Sequence, residues 1–356
     1  YYLCFLLSSL HFSLAASALR IMRYCLKKKP FKNWPLHSFW AQRSFFVANK
    51  RQKCYNKSNY GQKPKALPIT VKCAPTKPLC CAGRALKSVF GRTDRKGKGA
   101  RILAKISAGI VTYNDFEEAK LAADTVLQHC PEAALYIIDN ASADGTGEKL
   151  QTALQGRAKV ICLPENIGFG KGHNTVIPML ESDYHFVLNP DIQVNSDVLQ
   201  QMCAWMDEHP EAVMATPQLF FPDGRKQDLP RRVPSFLGLL ARQVPGFSPL
   251  QRFDRHYTML DEDLSLPHEI QFCTGSFFCM RTEVFCKMGG FDPGYFMYVE
   301  DADITRKAMQ YGKVFLLPQF GAVHAWHRNP SRDARHFTMQ LGSMMRYFKR
   351  WGFRIY

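Results

Sequence analysis

The chain has 356 residues, enough for one large domain or two ordinary ones, and a formal net charge of +17. Such a charge would favour a nucleic-acid or membrane partner, but its distribution removes that inference for most of the chain. Residues 1–100 contain 21 Lys and Arg residues against the single acid Asp94, whereas the remainder contains 26 basic and 29 acidic residues. The positive charge therefore says nothing about the partners of the later residues, for which we predict no nucleic acid.

The first hundred residues show no sustained helical or strand period. Residues 1–22 contain an apolar run that resembles a signal segment or a marginal membrane span, and a Lys- and Arg-rich stretch follows it. Three interpretations compete: a membrane-associated arm, a nucleic-acid-binding arm, or upstream sequence outside the native protein. Because the first Met is Met22 and no period is present, we favour the third. We expect residues 1–100 to be a basic extension, disordered or not part of the native protein, and residues 101–356 to be the folded domain.

Beyond residue 101, strand-like apolar runs alternate with helical patterns. The first four strand-like runs are ILAKISAGIVTYN, ALYIIDNAS, AKVICLPE and YHFVLNPD. Helical spacing covers residues 115–128, and a glycine-rich turn, NIGFGKGHN, leads into another helix. This alternation predicts an α/β fold with a mostly parallel central sheet flanked by helices.

Polar residues end each of the four predicted strands. In parallel sheets, ligands bind at the carboxyl ends of the strands. We therefore expect a ligand site built from the residues at these ends, which are Thr112, Tyr113, Asn114, Asp139, Asn140, Asn166, Asn189 and Asp191.

The pattern argues against a dinucleotide ligand such as NAD or FAD. A dinucleotide site needs a GxGxxG turn directly after the first strand, and this strand is followed by TYNDFEE. A P-loop sequence is also absent. An acid after the second strand can accept hydrogen bonds from a ribose or a base, and an acid after the fourth strand can hold a divalent cation against phosphate. The pattern therefore favours a nucleotide diphosphate with a metal ion.

Six motifs then make a family resemblance specific. They are VTYN, DNASADGT, ENIGFGKGHN, LNPD, CTGSFFCMR and GGFDPGYFMYVEDADITRKAMQYG, in that order. Together they resemble the inverting family 2 glycosyltransferases of the GT-A fold, particularly the rhamnosyltransferase-like branch, over about residues 102–350. The resemblance implies a GT-A type nucleotide-sugar-binding fold, which is Rossmann-like.

The resemblance also implies which residues bind the donor sugar nucleotide. Some would line the nucleobase and ribose, some would bring backbone close to the nucleotide, and a basic pair that includes Arg232 would lie near the diphosphate. The implied donor-binding residues are Thr112, Tyr113, Asn114, Asp139, Asn140, Gly168, Gly170, Asn174, Asn189, Gly275 and Arg231.

A divalent cation, Mg²⁺ or Mn²⁺, is implied at Asp191 and His324. The family's Asp-x-Asp pair is LNPD here, so Asn189 replaces the first acid and Asp191 alone carries the main metal contact. His324, in AVHAWHR, matches the family's histidine after the next strand. A structural role for this histidine is the alternative.

The stretch from residue 289 to 312 carries the implied catalytic acids. In an inverting transfer, a carboxylate removes the proton of the attacking acceptor hydroxyl. Asp301 matches the family's base, Glu300 would orient the acceptor or the base, and Asp303 is expected to cap the helix. The preceding aromatic residues are candidate walls of the acceptor pocket, and Gly312 is expected to end the helix.

The sequence thus predicts a metal-dependent inverting glycosyltransferase in cell-surface polysaccharide synthesis. The expected donors are dTDP-rhamnose or a UDP-sugar, and the acceptor is a glycan or a polyprenyl-linked glycan. We expect a cytoplasmic protein with a peripheral contact on the inner face of the cell membrane. The tail helix at residues 336–353 is expected both to close the core and to make this contact through its basic face. The alternative is a non-catalytic nucleotide-sugar-binding protein with a degenerate site.

Overall fold

A computed structural model describes residues 104–227, 230–243, 248–326 and 334–356. The prediction for residues 1–100 therefore lies outside the described residues. Within the described ranges, the strands are β1 (Ile106–Thr112), β2 (Ala134–Asp139), β3 (Lys159–Cys162), β4 (Tyr184–Leu188), β5 (Ile192–Gln193), β6 (Ala212–Phe220), β7 (His268–Glu269), β8 (Phe277–Arg281) and β9 (Lys313–His324). The helices are α1 (Phe116–His129), α2 (Thr146–Leu154), α3 (Phe169–Asn174), α4 (Val198–Glu208), α5 (Phe236–Gln243), α6 (Ser248–Tyr257), α7 (Thr282–Lys287), α8 (Glu300–Ala308) and α9 (Ala334–Trp351), with a 3₁₀ turn at Ile177–Met179.

The nine described strands form one sheet. Their order is β3-β2-β1-β4-β8-β6-β9-β5, and β7 pairs with β9 outside that order. Strands β1 to β4, β6 and β9 run in one direction, and β5, β7 and β8 oppose them. The predicted mostly parallel α/β sheet is confirmed, and its antiparallel members were not anticipated.

The central position of β1 follows from its composition. All seven residues of ISAGIVT are buried, and the strand pairs in parallel with β2 on one side and β4 on the other. A strand covered on both faces of the sheet is expected to lack the alternation of a half-exposed strand. Helix α1 covers one of these faces with Ala119, Ala122, Ala123 and Val126, the i, i+3, i+4, i+7 spacing of an amphipathic helix.

The antiparallel strand β8 decides which residues reach the ligand edge. Its first residue, Phe277, lies opposite Leu188, the last residue of β4. The chain therefore enters β8 at the edge where the parallel strands end. This brings Ser276, the residue after Gly275, beside Asn189, whose N–H donates to Ser276 O at 2.8 Å.

The tail helix α9 closes the core as expected, and its basic residues form ion pairs. Arg346 and Arg350 each contact Asp292 at 2.7 Å. Trp351 Nε1 donates to Asp303 Oδ1 at 2.7 Å. The expectation that Asp303 caps α8 is therefore wrong, because its fully buried carboxylate joins α8 to α9.

The expected role of Gly312 is also wrong. Helix α8 ends at Ala308, before Gly312. A side chain at Gly312 would collide with Val213 and with the carbonyl oxygen of Glu211. The glycine serves the close approach of this turn to the start of β6. Among the described helices, none is both long and apolar enough to cross a membrane.

Two buried histidines lie beside Gly109 of β1. His185, in β4, contacts Ser107 Oγ through Nδ1 at 2.8 Å, and both ring nitrogens of His173, in α3, have no hydrogen bond. The absence of a side chain at Gly109 leaves room for both rings. Burial lowers the pKa of His185 to about 3. Burial, followed by the charge of His185, lowers the pKa of His173 well below its usual value.

These histidines should make folding sensitive to acid. Below the usual histidine pKa of about 6.5, the unfolded chain binds protons that the buried rings do not. The folded state therefore becomes less stable as the pH is lowered. Between about pH 7 and about pH 5, the His185 ring should lower the free energy of unfolding by about 2 kcal/mol, and His173 should act in the same direction. We expect His185→Gln to remove about that much of the pH-dependent loss, as measured by urea denaturation at the two pH values.

The control for this experiment is Ser107→Ala, which removes the hydrogen bond and keeps the titrating ring. It should lower stability at both pH values and retain the pH-dependent loss. Equal pH dependence in His185→Gln and the wild-type chain would contradict the role assigned to this ring.

Candidate active site

A cleft of about 580 Å³ opens at the carboxyl edge of the sheet. Six parts of the fold contribute to it: the segments that follow β4 and β6, the end of β9, the chain entering β8, the start of α8 and one face of α9. Its polar lining side chains include Asn189, Asp191, Gln227, Arg231, Thr274, Ser276, Tyr298, Glu300, Asp301, His324 and Gln340. Six of the residues predicted from the sequence are therefore brought together here: Asn189, Asp191, Arg231, Glu300, Asp301 and His324.

Two adjacent carboxylates begin α8 and face this cleft. The residues just before them, Tyr298 and Val299, have φ angles of 71° and 67°. Left-handed backbone at two consecutive non-glycine residues is costly, and such strain clusters at functional sites. This turn directs the aromatic segment into α8 so that Glu300 and Asp301 lie in the first turn of the helix.

Backbone N–H groups orient the carboxylate of Asp301. Ala302 N donates to Oδ1 at 2.9 Å, and Gly275 N approaches Oδ2 at 3.4 Å. A Cβ at Gly275 would lie 3.4 Å from Asp301 Cβ. The lack of a side chain at Gly275 thus lets its backbone lie close to Asp301.

The two carboxyl groups have different surroundings. Burial and then the charge of Asp301 raise the pKa of Glu300, whose Oε2 accepts no hydrogen bond. Burial also raises the pKa of Asp301, but the two N–H groups and the charge of Arg231 oppose that rise. The ionised form is therefore better supported at Asp301 than at Glu300.

A second acidic position lines the same cleft. His324 Nε2, at the end of β9, lies 3.3 Å from Asp191 Oδ1, and Ala325 N donates to Asp191 O at 3.0 Å. Burial would raise the pKa of Asp191, but His324 in its protonated form and backbone hydrogen bonds lower it below its usual value. The 3.3 Å contact is not a well-formed hydrogen bond, and the buried Asp191 Oδ1 has no hydrogen-bond partner.

This pair fits a divalent cation as part of its coordination. A buried carboxylate oxygen without a hydrogen bond, next to an imidazole nitrogen, offers one oxygen and one nitrogen ligand. No cluster of three or more acidic, histidine or cysteine ligands occurs within the described residues. The described side chains therefore provide two ligands for a cation and leave its other coordination positions open.

A second polar group lies at the ends of β1 and β2. Asp139 accepts from Ser142 Oγ and, at 3.2 Å, from Ser142 N. Asn114 N donates to Ser142 Oγ at 2.8 Å, and Asn114 Oδ1 accepts from Ala143 N at 2.8 Å. Ser142, which belongs to the DNASADGT motif, thus ties the two strand ends together.

The other residues predicted at these strand ends differ in solvent exposure. Tyr113 is 51% exposed, whereas Thr112 and Asn140 are buried. The register of β1 on β4 places Ile110 opposite Leu188, so Thr112 and Asn189 lie at the same edge. The nucleobase residues predicted from sequence are therefore neighbours of the cleft and do not line it.

The glycine-rich turn packs against the aromatic segment. A side chain at Gly168, where φ is 88°, would collide with the carbonyl oxygen of Phe296, and one at Gly170 would collide with the Phe291 ring. Asn174 makes two 2.8 Å hydrogen bonds, one to Phe291 O and one from Phe291 N. In this structure these three residues support the segment that leads to α8.

The expected aromatic wall is only partly present. Phe291 and Tyr295 are buried in the core, and Tyr298 alone of the predicted aromatic group lines the cleft. The missing wall comes from α9, through side chains whose spacing in the sequence predicted only a core-closing helix. They are Gln340, Met344, Tyr347 and Phe348.

The predicted arginine pair is divided. Arg231 lines the cleft, whereas Arg232 contacts Asp261 at 2.8 Å and also pairs with Glu262. Gln227 was missed altogether. It follows the turn at Pro222, Asp223 and Gly224, and its sequence neighbours give no sign that it is buried beside His324.

Comparisons with known proteins identify the family of this chain. The family model "Glycosyl transferase family 2" matches residues 107–289. The chain is 28% identical to the rhamnosyltransferase WbbL of Escherichia coli K12, over 51% of this chain and 70% of that protein. It is also 28% identical to the N-acetylglucosaminyl-diphospho-decaprenol L-rhamnosyltransferase of Mycobacterium tuberculosis, over 56% and 69%.

One solved structure supports the predicted GT-A architecture. The crystal structure of GalNAc-T7 with UDP, GalNAc and Mn²⁺ aligns with a TM-score of 0.52 and 18% identity over 71% of this chain. The chain spans about half the length of that protein, 49%. On the match of the family model and the agreement of fold, this chain belongs to glycosyl transferase family 2.

Proposed function

We propose that this chain is a metal-dependent, inverting glycosyltransferase that uses a nucleotide-diphosphate sugar. The observation that carries the proposal is the Glu300–Asp301 pair in the same cleft as Asp191 and His324. The first pair offers a proton acceptor for a hydroxyl, and the second offers ligands for a cation. An in-line transfer to a hydroxyl is assisted by both.

Asp301 acts as the general base in this proposal. Its carboxylate is held by two N–H groups and faced by Arg231, so it ionises before its neighbour. Glu300, with an oxygen that accepts no hydrogen bond, keeps the proton that the pair shares. A base whose pKa is raised toward neutral accepts the hydroxyl proton more effectively than an ordinary aspartate.

Asp191 and His324 would hold the cation on the leaving-group side. When bound, a divalent cation neutralises charge that develops on the diphosphate. Arg231 adds positive charge to the same cleft. Of the donor-binding residues proposed from the family resemblance, Asn189 and Arg231 line the cleft, Gly275 is next to it, and Thr112, Tyr113, Asn114, Asp139 and Asn140 would form the nucleoside end.

The relatives support a choice of substrates to test. Two are named rhamnosyltransferases, and one is named for a diphospho-decaprenol acceptor. We propose dTDP-rhamnose as the first donor and a UDP-sugar as the second. The proposed acceptor is a hydroxyl of a glycan or a polyprenyl-linked glycan in cell-surface polysaccharide synthesis.

The proposed location is the cytoplasm, with peripheral contact at the inner face of the membrane. Its support is the lipid-linked acceptor named for the mycobacterial relative and the exposed Lys349 and Leu341 on α9. Arg346 and Arg350 are committed to Asp292, so the basic surface of this helix is smaller than the sequence indicates.

Asp301→Asn should remove transfer and leave donor binding intact, because an amide cannot accept the hydroxyl proton. We expect kcat to fall by a factor on the order of 10²–10⁴. Release of nucleoside diphosphate with acceptor present measures transfer, and calorimetric titration with the donor measures binding.

The control for Asp301→Asn is Glu283→Gln, which changes an exposed acid in the first turn of α7, outside the cleft. It should retain wild-type turnover. Wild-type turnover in Asp301→Asn would rule out Asp301 as the base. Donor binding without transfer in the wild-type chain, with every donor and acceptor tested, would instead favour a non-catalytic nucleotide-sugar-binding protein.

Asp191→Ala should abolish stabilisation by Mn²⁺ in the presence of UDP or dTDP. A ligand at a hundred times its Kd stabilises the folded state by about 2.7 kcal/mol, which a thermal melt detects readily. Asp223→Ala, which removes an exposed acid paired with Arg225, should respond to Mn²⁺ as the wild-type chain does. An unchanged Mn²⁺ response in Asp191→Ala would place the cation elsewhere.

A further inference from the structure

Gln227 lies buried beside His324 and is hydrogen-bonded to it twice. His324 Nδ1 and Gln227 Oε1 are 2.8 Å apart, and Gln227 Nε2 donates to the carbonyl oxygen of His324, also at 2.8 Å. The glutamine is 2% exposed. Water therefore does not compete readily for either contact.

These two contacts determine which nitrogen of His324 carries hydrogen. A carbonyl oxygen only accepts, so the Gln227 group facing it must be the NH₂ group. The other end of the amide is then the oxygen, and it must accept from His324 Nδ1–H. The neutral ring is held in the Nδ1–H tautomer, and Nε2 carries a lone pair.

The lone pair of Nε2 points to the neighbourhood of another acceptor. Asp191 Oδ1 lies 3.3 Å from it and has no hydrogen bond. Two acceptors this close repel one another unless a cation or a proton lies with them. The arrangement is suited to metal coordination, in which a histidine binds through one nitrogen and donates from the other to a supporting group.

The backbone explains how Gln227 reaches this place. After β6 the chain reverses in a tight turn, where Phe221 N donates to Arg225 O at 2.8 Å. The returning strand then pairs Gln227 N with Leu219 O at 2.9 Å, and Gln218 Nε2 donates to Gln227 O at 2.9 Å. Gln227 is therefore fixed on both main chain and side chain.

We propose that Gln227 is a positioning residue that holds His324 in the tautomer able to bind a divalent cation together with Asp191. This inference rests on the proposed metal-dependent function. Gln227 itself does not touch the cation or the substrate. Its effect passes through the orientation and protonation of the imidazole.

The test uses Mn²⁺ as the probe, with and without UDP, and measures the loss of the free Mn²⁺ paramagnetic resonance signal. Gln227→Leu removes both hydrogen bonds and should weaken Mn²⁺ binding about 10- to 100-fold. Gln227→Glu keeps an oxygen that accepts from Nδ1–H and should stay closer to the wild-type affinity. Wild-type Mn²⁺ affinity in Gln227→Leu would overturn the proposal.

A second readout needs no metal. Long-range ¹H–¹⁵N correlation spectra of the metal-free full chain, at about pH 8.5, where a typical histidine is neutral, report the tautomer of His324. The wild-type chain should show Nδ1–H, and Gln227→Leu should show an increased share of Nε2–H. A predominant Nε2–H form in the wild-type chain would overturn the proposal without reference to any variant.

Gln218→Leu is the matched control, because it removes a buried glutamine from the same hairpin and leaves the side-chain contacts of His324 in place. It should lower the melting temperature and retain the His324 tautomer. If the wild-type chain takes up no Mn²⁺ in either condition, the proposed metal function fails. The spectra of the metal-free chain then still decide whether Gln227 controls the tautomer.

Discussion

The repulsion between two carboxylates in one cleft is the constraint around which this structure is arranged. Glu300 and Asp301 occupy consecutive positions at the start of α8, and burial raises the pKa of both. N–H groups from Gly275 and Ala302 and the charge of Arg231 favour ionisation of Asp301. A helix N-terminus also favours negative charge. These favourable contacts act mainly on Asp301, so they offset the cost of placing the two acids together by stabilising the charge of that one residue.

Much of the surrounding structure serves to keep this helix in place. Strand β8 runs antiparallel to its neighbours, which brings Gly275 to the edge where the parallel strands end. Asp303 and Trp351 join α8 to α9, and α9 in turn supplies a wall of the cleft. In the same cleft, Gln227 contacts His324, which lies beside Asp191. The acid pair and the proposed cation ligands are supplied by different elements.

The sequence predicted those features that depend on local patterns. Buried runs and helical spacing identified the early strands and α1, and motif order identified the family. Residues whose position depends on distant packing were not predictable in this way. Asp303 was expected to cap a helix because acids favour first turns, but Trp351 in the distant tail helix makes it an internal tie. Gln227 gave no signal, because its role arises from a hairpin that returns it to β9. Gly168 and Gly170 were expected to bring backbone close to the nucleotide, and this stays a prediction. In the structure, the neighbours that leave no room for a side chain at these positions are Phe296 and Phe291.

The division of roles within the acid pair is tested most directly by the pH dependence of kcat/KM in the wild-type chain and in Glu300→Gln. Glutamine imitates the protonated form that we assign to Glu300. The variant should therefore retain transfer, and its acid limb should coincide with that of the wild-type chain. In both, that limb should lie above the usual aspartate value of about 3.9. Loss of transfer in Glu300→Gln, or a wild-type acid limb at the ordinary aspartate value, would contradict the assignment of Asp301 as the base and Glu300 as its protonated neighbour.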